Sequence, residues 1–265
     1  MRLCSIASGS SGNCIYIGSG DTDILVDAGI SGKRVEQGLN TIGLTGSDIN
    51  AILITHEHSD HICGLGVLAR RFGVPIYATP ATIRQIRRQG NLGNIPEELF
   101  FEVRADEMFS IGDLLARPFS ISHDAADPVG YRVESAGKSV AVATDMGVYT
   151  DYTVRQLTGL DAILLEANHD VRMLEVGRYP YYLKQRILGE RGHLSNEASG
   201  HLLGEILHDD MKHIVLGHLS QENNYPALAF ETVCAEVTMG DNPYRAGDFP
   251  ITVASRHEVG DVIDF

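Results

Sequence analysis

The sequence predicts an α/β protein in which helices cover β-sheets, and three observations carry that reading. Short apolar runs rich in Ile, Val, Leu and Ala recur between Gly- and Asp-containing turns, as strands do. Segments with helical spacing are interspersed among them. The 265 residues are 43 % hydrophobic, enough for a large core; Trp is absent and aromatics make up 7 %, so that core is aliphatic.

The elements follow in order. Residues 3–7 form an apolar strand that ends in the turn Ser8-Gly9-Ser10-Ser11-Gly12-Asn13. Strands over 13–17 and 23–27 flank the hairpin signal Gly18-Ser19-Gly20-Asp21. Val35 and Leu39, four apart, mark a helix over 31–41. Residues 48–55 lead as a strand into a histidine-rich loop. A helix over 61–72 is stopped by Gly73 and Pro75. A short strand over 74–78 and a helix over 80–89 follow. In the second half, strands are expected over Phe109–Ile111, 114–121, Val129–Ser135, 139–144, 161–166, 212–217 and 250–254. Helices are expected over 195–207, opened by Ser195 or Asn196, and over 227–237. There is no repeat, low-complexity tract or linker, so one domain over 1–265 is expected.

Thr55-His56-Glu57-His58-Ser59-Asp60-His61 places three imidazoles and a carboxylate within six positions, straight after the apolar run Ala51-Ile52-Leu53-Ile54. His56 and His58 are two apart, so in extended backbone both rings point to one side and can grip one metal ion. Asp60 and His61 follow a turn and can reach a second ion nearby. His123, Asp145 and His218 each stand at the end of an apolar strand, where α/β scaffolds gather their chemistry.

His56-x-His58-x-Asp60-His61 followed by His123, Asp145 and His218 resembles the metallo-β-lactamase superfamily over nearly the whole chain. The resemblance implies a four-layer αββα sandwich with a dinuclear site at one edge. It implies that His56, His58 and His123 hold the first metal, that Asp60, His61 and His218 hold the second, and that Asp145 bridges them. Aspartate at 145, where β-lactamases carry cysteine, is similar to the phosphodiesterase and thioesterase branches. Asp27 matches an aspartate that steadies the histidine loop in this superfamily; a turn-forming role is the alternative. The stretches 8–14, 165–170, 192–196 and 216–220 are similar to the YycJ/WalJ group. That group is related to RNase J and RNase Z without their β-CASP insertion, and its members are regarded as nuclease-like phosphodiesterases.

The expected function is therefore hydrolysis of phosphodiesters, DNA exonuclease-like or RNA-processing, by a hydroxide bridging two divalent ions, Zn or Mn, with Fe as a further option. Asp60 would orient the nucleophile. His193 is the candidate general acid, or else a residue opening a helix. Glu166, at a strand end, would orient His193 or a ligand histidine. Ser8, Ser10, Ser11 and Asn13 could cradle a phosphate or simply close a sheet edge. Arg178, Tyr181, Lys184 and Arg186 interleave cations with tyrosines, which suits a nucleic-acid strand, and Asn168 is a further substrate-contact candidate. Arg84, Arg87 and Arg88 share a helical face and read as solvated.

Two readings from other classes stand beside this one: a thioester or small-ester hydrolase of the glyoxalase II kind, and a catalytically silent metal-binding regulatory protein. The net charge of −14 argues against general nucleic-acid binding, but two divalent ions would add four positive charges at the site. No apolar run is long enough to span a bilayer, no secretory signal is evident, and the four cysteines are scattered, so a cytoplasmic protein without membrane contact is expected. Cys63, near His61, could be a ligand or a bystander. A homo-oligomer is compatible with the sequence, although no residue pattern establishes it.

Overall fold

Two seven-stranded sheets lie face to face, and the computed structural model describes all of residues 1–265. The first sheet contains β1 (Arg2–Ala7), β2 (Cys14–Gly18), β3 (Asp23–Val26), β4 (Ala51–Leu53), β5 (Ile76–Ala78), β6 (Phe100–Glu102) and β14 (Ile263–Asp264), in the order β14-β1-β2-β3-β4-β5-β6. The second contains β7 (Phe109–Ile111), β8 (Leu114–Ser120), β9 (Val129–Ser135), β10 (Lys138–Ala143), β11 (Ala162–Glu166), β12 (His213–Gly217) and β13 (Ile251–Val253), in the order β13-β12-β11-β10-β9-β8-β7.

The period-2 alternation of side chains builds the layers. In β3, Ile24 and Val26 enter the core between the sheets while Leu25 faces outward; in β10, Val140 and Val142 face in while Ala141 and Ala143 face out. Both faces are buried, so these strands read as continuous apolar runs. The outer face of the first sheet is covered by α1 (Gly32–Thr41), α3 (Leu65–Phe72) and α4 (Pro80–Arg88). That of the second sheet is covered by α5 (Asp151–Leu157), α8 (Asn196–Ile206) and α9 (Pro226–Met239). The result is a four-layer αββα sandwich. None of its helices is long and apolar enough to cross a membrane.

Parallel pairing sets where the loops emerge. β3 runs parallel to β4, and β10 to β11 and β12, while β8 regains their direction through antiparallel β9. The carboxyl ends of β3, β4, β8, β10, β11 and β12 therefore carry Asp27, His56, His123, Asp145, Glu166 and His218.

The helix expected over 61–72 is instead two pieces, α2 (Ser59–Ile62) and α3. Gly64 breaks it: its N–H donates to Ala28 O at 2.7 Å, and a β-carbon there would lie 2.3 Å from Ile30 O. The sequence pattern does not reveal β6, β14, α5, α6 (Val171–Val176) or α7 (Tyr181–Leu188). Ser195 caps α8, its hydroxyl accepting from Ala198 N.

The histidine loop is interlocked with its neighbours by backbone alone. Asn13 N donates to Asp60 O, Ala28 N to His61 O, and Gly29 N to Asn13 O, all within 2.8 Å. A β-carbon on Gly29 would sit 1.6 Å from Asp60 O, whereas one on Gly20 would meet nothing within 4 Å. Gly29→Ala should therefore cost roughly 1–3 kcal/mol or more in urea unfolding, against a change within about 0.5 kcal/mol for Gly20→Ala. Equal midpoints for the two variants would show that this close approach does not hold the loop.

Candidate metal centre

Six strand ends and the histidine loop bring nine titratable side chains into one cleft. His56, His58 and His123 form one group whose ligand atoms lie within 4.8 Å of one another; Asp60, His61 and His218 form a second, and Asp145 joins His56 and His61 in a third. His58 Nδ1 is 3.0 Å from His56 Nε2 and 3.2 Å from His123 Nε2. Those spacings are close to the edge of a tetrahedron of metal–nitrogen bonds, about 3.3 Å for bonds of about 2.0 Å.

Asp145 lies between the groups. Its Oδ1 is 3.2 Å from His218 Nε2 and 3.7 Å from His123 Nε2, while its Oδ2 is 3.3 Å from His61 Nε2. Oδ2 is buried and accepts no hydrogen bond. An orphaned carboxylate oxygen is costly in a protein interior, and a cation at that point would satisfy it. The donors therefore fit a pair of divalent ions.

Four of the five candidate ligand rings are aimed by a hydrogen bond on their opposite side. The Thr55 hydroxyl donates to Asp27 Oδ2 at 2.8 Å, so its oxygen is left to accept from His56 Nδ1 at 3.0 Å. Asp27 Oδ2 also accepts from His61 Nδ1 at 2.7 Å. Gly192 O accepts from His123 Nδ1 at 3.0 Å, and Asn13 Oδ1 from His218 Nδ1 at 3.2 Å. Such outer bonds fix the tautomer and leave Nε2 free toward the cleft. His58 faces the cleft with Nδ1 instead.

Three of the positioned residues, Asp27 (φ 62°), Asp145 (φ 61°) and His218 (φ 54°), have left-handed backbone. Non-glycine residues adopt that region at a cost, and here the cost turns three side chains from the strand ends into the cleft.

Burial and charge set the protonation. Burial lowers the pKa of His56 well below the ordinary value and that of His218 to about 4, so both rings are neutral and ready to ligate. Burial acts on His61 in the same direction, but Asp145, Asp27 and Asp60 outweigh it and hold that ring's pKa well above the ordinary range. The imidazoles around Asp145 more than offset its burial and keep its carboxyl well below the usual range.

The cleft opens into a cavity of about 190 Å³ lined by Asp60, Asn168, Tyr179, Arg186, His193 and Ser220, among others. His193 Nδ1 is 2.7 Å from Glu166 Oε1, and Glu166 Oε2 accepts from Met146 N and Leu194 N. One oxygen of Glu166 thus holds His193 while the other is held by backbone N–H groups. Burial works against charge on His193, yet Glu166, then Asp145 and Asp60, raise its pKa to about 9.

Residues 22–225 match the family profile described as "Beta-lactamase superfamily domain". This chain belongs to the metallo-β-lactamase superfamily. It is 42 % identical over 229 residues to "Exodeoxyribonuclease YycJ" of Bacillus anthracis, covering 86 % of each chain. It is 42 % identical over 238 residues to "Exodeoxyribonuclease WalJ" of Streptococcus pneumoniae, covering 89 % of this chain and 88 % of the other. Its fold is shared with Zn(2+)-bound PqqB from Methylobacterium extorquens, at a TM-score of 0.71 and 18 % identity over the full length of both. Superfamily and donor set together make it a hydrolase with a metal site.

Several substrate-contact expectations meet a different arrangement. Ser10, Asn168 and Arg186 line the cavity. Asn13 is buried behind the ligands, accepting from Gly9 N and turned toward His218 and His61. Ser8 is buried too, and its oxygen accepts from His218 N. Ser11 is exposed, accepting from Arg256 at 3.0 Å. Arg178, Tyr181 and Lys184 do not line the cavity; Tyr181 is 75 % exposed, and Lys184 donates to Glu175 O. The reason is helical: α7 and the residue pair before it present Tyr179, Leu183, Arg186 and Ile187 along one face. Arg191 anchors the segment by donating to His123 O at 3.1 Å. Arg87 pairs with Glu97, and Cys63 is exposed and outside every ligand group.

Asp124 joins the site without a counterpart among the expected residues. Its carboxylate binds the Arg186 guanidinium through both oxygens and stands 3.4 Å from His123 Nε2. Its place directly after a strand-end histidine is the signal the sequence offers for it.

Because His61 keeps a proton at neutral pH without metal, ion binding must displace it. Calorimetry in buffers of different ionisation enthalpy should show proton release at pH 7 and tighter binding as pH rises. Asp27→Ala should weaken binding roughly 10- to 100-fold. A pH-independent affinity, unchanged by Asp27→Ala, would contradict the assigned orientation of His61.

Proposed function

We propose that this chain is a cytoplasmic two-metal phosphodiesterase that removes nucleotides from DNA ends. The observation that carries the reading is 42 % identity, over 86–89 % of the chain, to two proteins named exodeoxyribonucleases. In this reading His56, His58 and His123 hold one divalent ion, Asp60, His61 and His218 hold another, and Asp145 serves both. Mixed nitrogen and oxygen donors suit Zn²⁺, Mn²⁺ or Fe. When bound, such a pair supplies an activated water and charge stabilisation for in-line displacement at phosphorus.

The protein's own groups do the rest. Asp60 is held ionised, its carboxyl below the ordinary range: burial opposes the charge but His61 and His218 favour it. It orients the nucleophile from the cavity wall. Arg186, held by Asp124, presents a fixed cation to the substrate phosphate. Ser10 and Asn168 add hydrogen-bonding groups at the same wall. His193 keeps a proton at neutral pH and delivers it to the leaving oxygen, with Glu166 fixing its ring. The overall negative charge disfavours general binding of DNA elsewhere on the surface, and two divalent ions would make the cleft attractive to it.

End-labelled DNA, RNA and a thioester should be compared with metal-loaded protein. DNA should be shortened from its ends, and Asp60→Ala should abolish that. His193→Gln should lower kcat by roughly 10²–10⁴ with little change in KM. Glu166 favours the acid form of His193, which is lost as pH climbs, so wild-type kcat should fall on the alkaline side. That limb should vanish in His193→Gln. Thioester turnover without cleavage of DNA would overturn the reading, and RNA cleavage alone would transfer it to the other nucleic acid.

A further inference from the structure

A second cavity of about 350 Å³ adjoins the metal cleft, and its volume falls in the range of small-ligand sites. Ser220 lines both cavities. Ser8, whose hydroxyl accepts from His218 N at 2.8 Å, lines the second. The wall between the two is thus a single turn of chain beside a metal-cleft histidine.

The second cavity has a distinct chemistry. Arg256 lines it, donating through Nη1 to Ser11 Oγ at 3.0 Å and Ser10 Oγ at 3.4 Å, and through Nη2 to Leu219 O at 2.5 Å. None of these partners is a carboxylate, and Arg256 makes no ion pair. A guanidinium has five N–H donors, so two remain unspent. A half-buried cation without a counter-ion, in a chain of net charge −14, is a place for an anion. Tyr225 lines the same cavity, its ring about half exposed and its hydroxyl without a hydrogen bond; Gln221 and His257 complete the polar lining. A flat aromatic surface beside an unpaired guanidinium suits a base and its phosphate.

We infer that this cavity is a nucleotide subsite beside the metal cleft, with Arg256 meeting a phosphate and Tyr225 stacking a base. The inference rests on the phosphodiesterase reading and extends it: the enzyme grips the strand beside the scissile bond, on the serine-turn side. The same chemistry would hold a free nucleoside monophosphate, such as a released product.

The test compares a DNA oligonucleotide with methyl p-nitrophenyl phosphate, a chromogenic diester that has one ring as leaving group and only a methyl group on the other side of the phosphate. Tyr225→Ala removes an exposed ring with no hydrogen bond and should leave folding intact. It should raise oligonucleotide KM roughly 5- to 100-fold, with chromogenic turnover unchanged within about twofold. Arg256→Met should act in the same direction. Equal effects of Arg256→Met on both substrates would mean that it disturbs the serine turn, and Tyr225→Ala then decides. Unchanged oligonucleotide KM in Tyr225→Ala would overturn the subsite. Calorimetry with dAMP separates the two possible occupants: binding by wild type, lost in Tyr225→Ala, assigns a mononucleotide site as well. If wild type cleaves the chromogenic diester but not DNA, the nuclease reading fails, and dAMP binding alone then decides the subsite: its presence in wild type and loss in Tyr225→Ala upholds it, and its absence overturns it.

Discussion

The carboxylate of Asp145 is the point on which the arrangement depends. It is buried between the two halves of the cleft, with His218 and His123 facing one oxygen and His61 facing the other. Placing an ionised group there without compensation would be prohibitive. The surrounding rings supply part of the compensation, and the orphaned Oδ2 marks where it is incomplete. A pair of cations held there would complete it. The histidines are neutral where burial dominates and protonated where carboxylates crowd them, so the same geometry explains both the ligand set and its proton balance.

The sandwich exists to make that point rigid. Strands buried on both faces cannot slip register without repacking the core on both sides. Their carboxyl ends are therefore fixed to within small tolerances, and the left-handed residues Asp27, Asp145 and His218 sit immediately beyond them. Backbone strain is tolerable there because the strand before each residue is held by its sheet. The outer hydrogen bonds from Thr55, Asp27, Gly192 and Asn13 then aim the rings. At the rim, Ser10, Tyr179 and Arg186 line the cavity, and Asp124 holds the Arg186 guanidinium.

Much of this is legible in the sequence, for a physical reason. Imidazoles and a carboxylate packed one to five positions apart after an apolar strand crowd into one small volume, where a metal ion would relieve their mutual desolvation. His123, Asp145 and His218 each announce themselves as a polar residue ending an apolar run. The sheets and the long helices follow from the period of burial. What is not legible depends on three-dimensional placement. Asn13 reads as a loop residue open to substrate, but the backbone interlock with Asp60 turns it inward. Residues 178–186 offer only a composition of cations and tyrosines; their helical face selects Arg186 and leaves Arg178, Tyr181 and Lys184 outside the cavity. Arg256 lies in an aperiodic stretch and reaches Ser10 across 246 positions of sequence, a contact that no local pattern encodes.

The central claim is that one carboxylate, Asp145, serves two ions held by separate groups of side chains. Electron paramagnetic resonance during Mn²⁺ titration tests it most directly. The account predicts two ions per chain with a spin-coupled dinuclear signal, and loss of the coupling in Asp145→Asn. A single ion at saturation, or two ions that remain magnetically independent in the wild type, would contradict it.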